Sequence, residues 1–104
     1  MARKQIALVC SFGLSTSLLV QAMERSAIDK AADVEISAIG TSELAEKAES
    51  VDVFLLAPQV RYMLPTVAKY GKPVGVVDGL VYATADGSKV LEQALRLGAE
   101  EEIK

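Results

Sequence analysis

The chain has 104 residues, of which 51% are hydrophobic and 24% are charged, and its net charge is -3. This length is sufficient for one hydrophobic core and too short for two ordinary domains, so we expect a single domain over residues 1–104. The basic residues are scattered along the chain, which argues against nucleic-acid binding. The chain contains no histidine and one cysteine. It therefore cannot itself supply an imidazole base, a phosphohistidine, a disulfide or a thiolate metal cluster within one subunit.

No apolar stretch reaches the roughly 18 residues that a membrane span requires. The first apolar run is also too short for the hydrophobic region of a secretory signal. We therefore expect a cytosolic protein, and the reducing conditions of that compartment suit a lone cysteine.

The first two elements are a strand and a helix. Residues 6–9 are apolar throughout, as in a strand that is buried on both faces. The pattern then changes to a helical period, which places six apolar residues on one side of a helix: Leu14, Leu18, Leu19, Ala22, Met23 and Ala27.

The middle of the chain repeats this order. Residues 34–39 alternate as a strand that ends at Gly40, and Thr41 or Ser42 is expected to cap a short helix through Ala48. Residues 53–57 form a third apolar run, which ends at Pro58 because proline cannot donate to a sheet.

A helix is predicted over residues 62–70, with Pro65 in its first turn. Residues 74–77 predict the fourth strand, and residues 78–85 read as an irregular connection. Asp86 is expected to cap a final helix that ends at Gly98, followed by an acidic, solvated tail at residues 100–102. The apolar side of this helix carries Val90, Leu91, Ala94 and Leu95.

Four alternations of strand and helix predict an α/β fold, a small open four-stranded parallel sheet with helices on both faces. In such sheets, ligands bind beyond the carboxyl ends of the strands, where the strand order reverses. The loop after strand 1 lies there if strand 1 is central. This loop is the candidate phosphate-binding site, with Cys10 as its candidate nucleophile; its residues are Ser11, Phe12, Gly13, Leu14, Ser15, Thr16 and Ser17.

Two interpretations of Cys10 follow from the sequence, a buried inert thiol and a nucleophile. Its position at the end of a strand, before a glycine- and hydroxyl-rich loop and a helix start, favours the nucleophile, because a helix N-terminus stabilises a thiolate and an anion. One of the hydroxyls is expected to cap the helix. Their number exceeds what one cap needs, and this favours anion binding by the loop as a whole.

Several chemistries fit such a loop. A phosphatase of the C-x5-R kind requires arginine six positions after the cysteine, but that position is Thr16, so the site is better suited to passing a phosphoryl group on than to hydrolysing it. A flavin- or nucleotide-binding module and a monothiol redox protein remain alternatives. The proposed chemistry requires no metal and no cofactor.

Two motifs identify a family resemblance. Residues 10–17 read CSFGLSTS, which resembles the cysteine loop C-S-x-G-x-S-T-S of the lactose/cellobiose/chitobiose IIB components of the bacterial sugar phosphotransferase system. Residues 56–65 read LAPQVRYMLP, which is similar to the family segment G-P-Q-x-x-Y-M-L-P. Residues 73–78 supply a third, shorter match. Ala57 departs from the pattern, because it stands where a glycine is common.

The resemblance implies a phosphotransferase in which Cys10 accepts a phosphoryl group from a phosphohistidine of the IIA component. Cys10 would then donate this group to a cellobiose-, chitobiose- or lactose-type sugar bound by the membrane component IIC. It also implies a cytoplasmic chain peripherally associated with the membrane permease. Backbone N–H groups of residues 13–17 would hold the phosphoryl oxygens.

Five side chains are candidates for further roles around this site. Gln59 and Asp78 follow strands and are candidates for its rim, with turn and cap roles as the equal alternative. Tyr62 is expected to pack or to make a surface hydrogen bond. Phe12 and Leu14 are candidates for contacts with a partner protein, provided that they are not buried in the core.

Overall fold

The protein is described by a computed structural model that covers residues 4–11 and 17–103. Its strands are β1 (Lys4–Cys10), β2 (Val34–Gly40), β3 (Val53–Leu56) and β4 (Val74–Val76). Its helices are α1 (Ser17–Asp29), α2 (Leu44–Lys47), α3 (Leu64–Ala68), α4 (Gly79–Ala83) and α5 (Gly87–Ile103). Three 3-10 segments, Thr41–Glu43, Ala48–Ser50 and Pro58–Met63, complete the regular structure of this part of the chain.

The four strands form one parallel sheet in the order β2-β1-β3-β4. In the pairing of β1 with β2, Cys10 lies opposite Gly40, and in the pairing of β1 with β3, Val9 lies opposite Leu56. The predicted α/β class is confirmed, and the first strand is central, which was the condition for placing the candidate loop at the ligand-binding edge. The chain crosses from β1 to β2 on one side and continues to β3 on the other, so the order reverses at the carboxyl end of β1.

The two long helices, α1 and α5, cover one face of the sheet, which we call the first face. Leu19 and Met23 of α1 and Leu91 of α5 are at most 2% exposed, and they join Leu8 of β1 and Leu55 of β3 in one cluster. Leu18 is an exception to the predicted apolar side, because it is 70% exposed. It neighbours Leu19 on a helix, where consecutive side chains point in different directions.

Short segments cover the opposite face, which we call the second face. Leu44 of α2, Val60 of the Pro58–Met63 segment and Val67 of α3 join Val9 and Phe54 of the sheet in a second cluster. The helix predicted over residues 62–70 is thus shorter: a 3-10 segment begins at Pro58, and α3 follows with Pro65 in its first turn, as predicted. Proline fits the start of a helix because its missing N–H would have no partner there.

The connection after β4 and the end of the chain are more helical than predicted. The expected irregular segment contains α4, which begins after Asp78 and is only five residues long, too short for a periodic pattern to reveal. The last helix continues through Ile103 and does not end at Gly98. A Cβ at Gly98 would lie 3.1 Å from Lys4 Nζ and 3.5 Å from Val53 Cγ2, so this glycine permits close packing and is not a helix end.

An aspartate and a glutamate side chain each accept a backbone N–H at the start of a helical segment, but only the aspartate was predicted. Asp86 caps α5 as predicted, since its Oδ1 accepts a hydrogen bond from the Lys89 N–H at 3.2 Å. At the end of β2, however, neither Thr41 nor Ser42 caps the next segment through its side chain. Glu43 instead reaches back to the Gly40 N–H. Within the described residues, no helix combines the length and the apolar character that a membrane crossing demands.

Candidate functional site

Cys10 is the last residue of the central strand, at the edge of the sheet where the strand order reverses. The residue is 2% exposed and belongs to the cluster on the second face. Its Sγ donates a long hydrogen bond to the Ile39 carbonyl of β2, with an S···O distance of 3.9 Å. The fold therefore places the predicted nucleophile where ligands of parallel α/β sheets bind, and its thiol is covered.

The predicted phosphate loop is described only at its two ends. Ser11 follows β1 as an exposed bend, and Ser17 is the first described residue of α1, by its backbone alone. Phe12, Gly13, Leu14, Ser15 and Thr16 lie outside the described residues. The predicted anion cradle and the predicted partner contacts of Phe12 and Leu14 therefore remain predictions.

The segment after β3 lies directly beside Cys10. The Ala57 N–H donates to the Val9 carbonyl at 2.9 Å, so Ala57 continues the pairing of β3 with β1 next to the cysteine. Its backbone angles are φ -61° and ψ 151°, which any L-residue adopts, and its side chain is fully buried. The alanine that stands in place of the common glycine is thus accommodated without a change in backbone conformation.

The two candidate rim residues follow strands at this same edge. Gln59 is exposed in the 3-10 segment after β3. Asp78 is exposed after β4, and its Oδ2 accepts hydrogen bonds from the N–H groups of Leu80 at 3.0 Å and Val81 at 3.3 Å. Asp78 therefore caps α4, and a cap was one of the two roles that its sequence position predicted.

The sheet register sets the separation of Asp78 from the cysteine. Val9 pairs with Leu56, and Leu56 pairs with Val76. Two strand spacings, or about 10 Å, thus separate β1 from β4 at this edge. Tyr62 is 70% exposed, which leaves the surface role of the two roles that the sequence predicted for it.

One charged residue at this edge was not identified from the sequence. Glu43 Oε1 accepts a hydrogen bond from the Gly40 N–H at 3.0 Å, and Glu43 Oε2 lies 3.1 Å from Lys47 Nζ. The Gly40 N–H and the Lys47 ammonium both hold the pKa of the Glu43 carboxyl below its usual value. The sequence does carry a signal for this contact. Glu43 lies three residues after Gly40, which precedes the helical segment, and this is the spacing of a capping box.

Two further features bear on what the site can hold. Within residues 4–11 and 17–103, no group of three or more cysteine, aspartate or glutamate side chains is placed to bind a metal ion. A pocket of about 620 Å³ lies away from Cys10, between the end of α1 and the start of β2, with Glu24, Ile28 and Val34 among its lining residues. It shares no residue with the predicted site.

A family model described as "PTS system, Lactose/Cellobiose specific IIB subunit" matches residues 5–93 of this chain. The matched segment includes Cys10, the whole predicted loop and both candidate rim residues. It therefore covers the sheet and the site together.

Curated relatives match nearly the whole chain. The oligo-beta-mannoside-specific EIIB component of Bacillus subtilis (strain 168) is 39% identical over 90% of this chain and 95% of its own length. The cellobiose-specific EIIB component of Lactococcus lactis subsp. lactis (strain IL1403) is 41% identical over 93% of this chain and 98% of its own length. The galactose-specific EIIB component of Lactococcus lactis subsp. cremoris (strain MG1363) is 40% identical over the same shares of the two chains.

Solved structures show the same fold. The cellobiose-specific phosphotransferase IIB component of Borrelia burgdorferi superposes with a TM-score of 0.80, at 34% identity over 95% of this chain and 94% of that chain. The lactose-specific IIB domain of Streptococcus pneumoniae superposes with a TM-score of 0.78 at 20% identity, over 91% of this chain and 97% of that chain. The second similarity is one of fold alone.

Proposed function

Because this chain belongs to the lactose/cellobiose-specific IIB family of the sugar phosphotransferase system, and is thus one of its phosphotransferases, we propose that Cys10 is its phosphoryl carrier. In this proposal, Cys10 accepts a phosphoryl group from a phosphohistidine of a IIA component. It then donates that group to a sugar bound by the membrane component IIC. The position of Cys10, at the carboxyl end of the central strand where the strand order reverses, carries the proposal.

The residue types in the chain agree with a donor imidazole on another protein and a carrier thiol on this chain. The chain has no histidine, so the imidazole of the donor belongs to another protein. The Cys10 thiol gives its proton to the departing imidazole, and its sulfur attacks phosphorus in line as the thiolate. The P–N bond of the donor breaks, and its electron pair returns to the imidazole nitrogen. The backbone N–H groups of residues 13–17 are proposed to hold the phosphoryl oxygens. Thr16 stands where a phosphatase of the C-x5-R kind has arginine, which agrees with transfer rather than hydrolysis.

Burial of the Cys10 thiol adds a requirement for phosphoryl transfer. Cys10 is 2% exposed, and an in-line attack needs the phosphorus atom within about 3–3.5 Å of the sulfur. Part of the surroundings of Cys10 therefore has to move when a donor protein docks. This requirement also protects the resting thiol from other electrophiles.

We assign the sugar to the cellobiose, chitobiose and lactose class. Relatives named for oligo-beta-mannoside, cellobiose and galactose are 39%, 41% and 40% identical to this chain. Such similar identities agree with selection of the sugar by IIC and not by the IIB chain. We accordingly place the chain at the cytoplasmic side of a membrane permease.

Reconstitution tests the proposal directly. Labelled phosphoenolpyruvate, the general components of the system and a cognate IIA are expected to place one label on the wild-type chain. Cys10→Ser is expected to fail in sugar phosphorylation in the presence of IIC. A Cys10→Ala/Ser50→Cys double variant keeps one thiol at an exposed position and serves as the matched control, which should remain unlabelled.

Retention of full sugar phosphorylation by Cys10→Ala would disprove the proposal. Hydrolysis of aryl phosphates by the wild-type chain at rates similar to phosphoryl transfer would instead favour a phosphatase. Bound flavin or nucleotide, or glutathionylation without any phosphorylation, would favour the other two alternatives.

A further inference from the structure

One peptide group joins the thiol of Cys10 to the carboxylate of Glu43. The Ile39 carbonyl of this group accepts a hydrogen bond from Cys10 Sγ at 3.9 Å. The N–H of the same peptide group, which belongs to Gly40, donates to Glu43 Oε1 at 3.0 Å. The carboxylate and the thiol thus lie at the two ends of one polarisable unit.

The register of the sheet fixes this arrangement. Cys10 and Gly40 are opposite one another in the pairing of β1 with β2. A Cβ at Gly40 would lie 3.6 Å from Glu43 Oε1 and 3.9 Å from the carbonyl oxygens of both Cys10 and Ser11. The Glu43 carboxylate is therefore adjacent to the point where β1 ends and the predicted phosphate loop begins.

A negative charge on the N–H side of a peptide group moves electron density toward its carbonyl oxygen and makes that oxygen a better acceptor. We propose that Glu43 is a positioning residue for Cys10: acting through the Ile39–Gly40 peptide, it strengthens the hydrogen bond that the resting thiol donates and favours release of the phosphoryl group from phosphorylated Cys10. This inference rests on the proposed function of Cys10 as the carrier. The lowered pKa of Glu43 supports it, because a carboxyl that ionises readily carries its charge at neutral pH.

The transfer steps explain the second half of the inference. When Cys10 accepts the group, an S–P bond forms, the donor P–N bond breaks, and the thiol proton passes to the departing imidazole. The S–H···O hydrogen bond to Ile39 is lost at this point. When the sugar hydroxyl attacks phosphorus, the S–P bond breaks, the hydroxyl proton returns to sulfur and the hydrogen bond forms again. Strengthening this bond therefore stabilises the unphosphorylated chain.

Lys47 provides a way to change the same effect in the opposite direction. Its Nζ lies 3.1 Å from Glu43 Oε2, with 47% of the Lys47 side chain and 46% of the Glu43 side chain exposed. Its positive charge offsets part of the carboxylate charge that acts on the peptide. Lys47→Met should therefore strengthen the hydrogen bond from the thiol, and Glu43→Gln should weaken it. The glutamine carbonyl can still accept from the Gly40 N–H, so Glu43→Gln removes the charge and keeps the local hydrogen bond.

Infrared spectroscopy of the S–H stretch tests the proposal without any partner protein. The chain has one cysteine, so this band reports Cys10 alone. The band is expected at higher wavenumber in Glu43→Gln and at lower wavenumber in Lys47→Met, with Glu46→Gln as the control on the same turn of α2. A band at the wild-type position in both test variants, or shifts in the opposite directions, would overturn the proposal.

A second measurement tests the effect on transfer. In equilibrium with a phosphorylated IIA component, Glu43→Gln is expected to raise the ratio of phosphorylated to unphosphorylated Cys10 about threefold, a modest change because both ends of the ion pair are half-exposed. An unchanged or lower ratio would overturn the role of Glu43. Failure of the wild-type chain to become labelled would instead reject Cys10 as the carrier, so the two failures are distinguishable.

Discussion

The two faces of the sheet are covered in different ways. On the first face, α1 has 13 residues and α5 has 17, and apolar side chains of both helices form one cluster with the sheet. On the second face, α2 has four residues and α3 has five. Helices this short are unstable alone, because nucleation fixes several residues before any hydrogen bond is gained.

Polar contacts hold the second face in addition to its apolar cluster. Lys72 Nζ donates to the carbonyls of Ala48 and Glu49 at 2.8 and 2.7 Å, near the end of the helical segment formed by residues 41–50. Glu43 accepts from the Gly40 N–H where that segment begins. Charged side chains thus satisfy backbone groups at both ends of the short segment, as caps do for longer helices.

The two faces of the sheet are therefore expected to contribute differently to the stability of the fold and to the reactivity of the Cys10 thiol. Cys10 belongs to the cluster on the second face, so the thiol lies beside the segments that polar contacts hold. Among the described residues, the apolar cluster of the first face contains no residue of α2 or α3. We infer that substitutions in the first face mainly change the free energy of unfolding, whereas those in the second also change the accessibility of the thiol.

The largest expected effect comes from truncating one leucine on each face. Leu91 in α5 is fully buried and Leu44 in α2 is 2% exposed. Leu91→Ala should lower the free energy of unfolding by about 4 kcal/mol, because two long packed helices cannot close the cavity. Leu44→Ala should cost about 2–3 kcal/mol, because a single turn of helix can relax into the space. Urea denaturation measures both values.

Alkylation of Cys10 sharpens the comparison between these two variants. Under conditions in which both remain folded, Leu44→Ala is expected to react faster with iodoacetamide than the wild type, while Leu91→Ala should react at the wild-type rate. Equal acceleration in both would mean that the thiol is uncovered by global opening, and the distinction between the two faces would then fail.

A pair of glycines offers a smaller and purely steric test of the first face. Gly87 and Gly79 each follow an aspartate cap, at the first position of α5 and α4. A Cβ at Gly87 would lie 2.6 Å from the Ala22 Cβ and closer still to the backbone of α1, whereas a Cβ at Gly79 would have no heavy atom within 4 Å. Neither glycine has the left-handed φ that disfavours other residues, so the surrounding space is the difference that bears on substitution.

Gly87→Ala is expected to lower the free energy of unfolding by about 2–3 kcal/mol, since helix backbones must separate to admit the methyl group. Gly79→Ala is expected to be neutral or to stabilise by about 0.5 kcal/mol, because alanine restricts the unfolded chain. Thermal unfolding of the two variants provides the measurement. A Gly87→Ala variant as stable as Gly79→Ala would contradict the close approach of α1 and α5.

The sequence predicted the layers of the fold better than their details. Long apolar runs and one clear helical period gave the four strands, α1 and α5, because burial on both faces of a sheet and one face of a helix leaves periodic patterns. The five residues of α4 left no such pattern. Gly98 read as a helix end because glycine is favoured there, yet its role is to admit Lys4 and Val53, a tertiary contact that local sequence does not encode.

At the site, too, the sequence predicted the residues marked by local pattern and missed the one that depends on a tertiary contact. Cys10 was predicted from its position after a strand and before a hydroxyl-rich loop, and Asp78 from its position after β4, with the cap left open as one of two roles. Glu43 was missed as a site residue because its importance depends on register. Only the pairing of Cys10 with Gly40 brings the two hydrogen bonds of the Ile39–Gly40 peptide together.

The smallest expected effect concerns the charge of Glu43 and the stability of the second face. The pKa of Glu43 is lowered in the folded chain from the usual value of 4.5, first by the Gly40 N–H and then by Lys47. A lowered folded-state pKa means that ionised Glu43 stabilises the fold fully above pH 4.5. That stabilisation is lost as the pH falls through the folded-state pKa, where both states become protonated.

The wild-type chain should therefore be slightly more stable than Glu43→Gln at pH 7, and this difference should shrink as the pH is lowered from 4.5 to 3. Urea midpoints measured at pH 7 and pH 3 test the sign, with Glu46→Gln as the control for removing a nearby carboxylate that does not accept from the Gly40 N–H. Taking the difference between variants cancels the titration of the other carboxyl groups, which are common to both proteins. A difference that persists unchanged at pH 3 would show that the Glu43 side chain holds the second face by its shape rather than by its charge, and the charge-based link to Cys10 would lose its support.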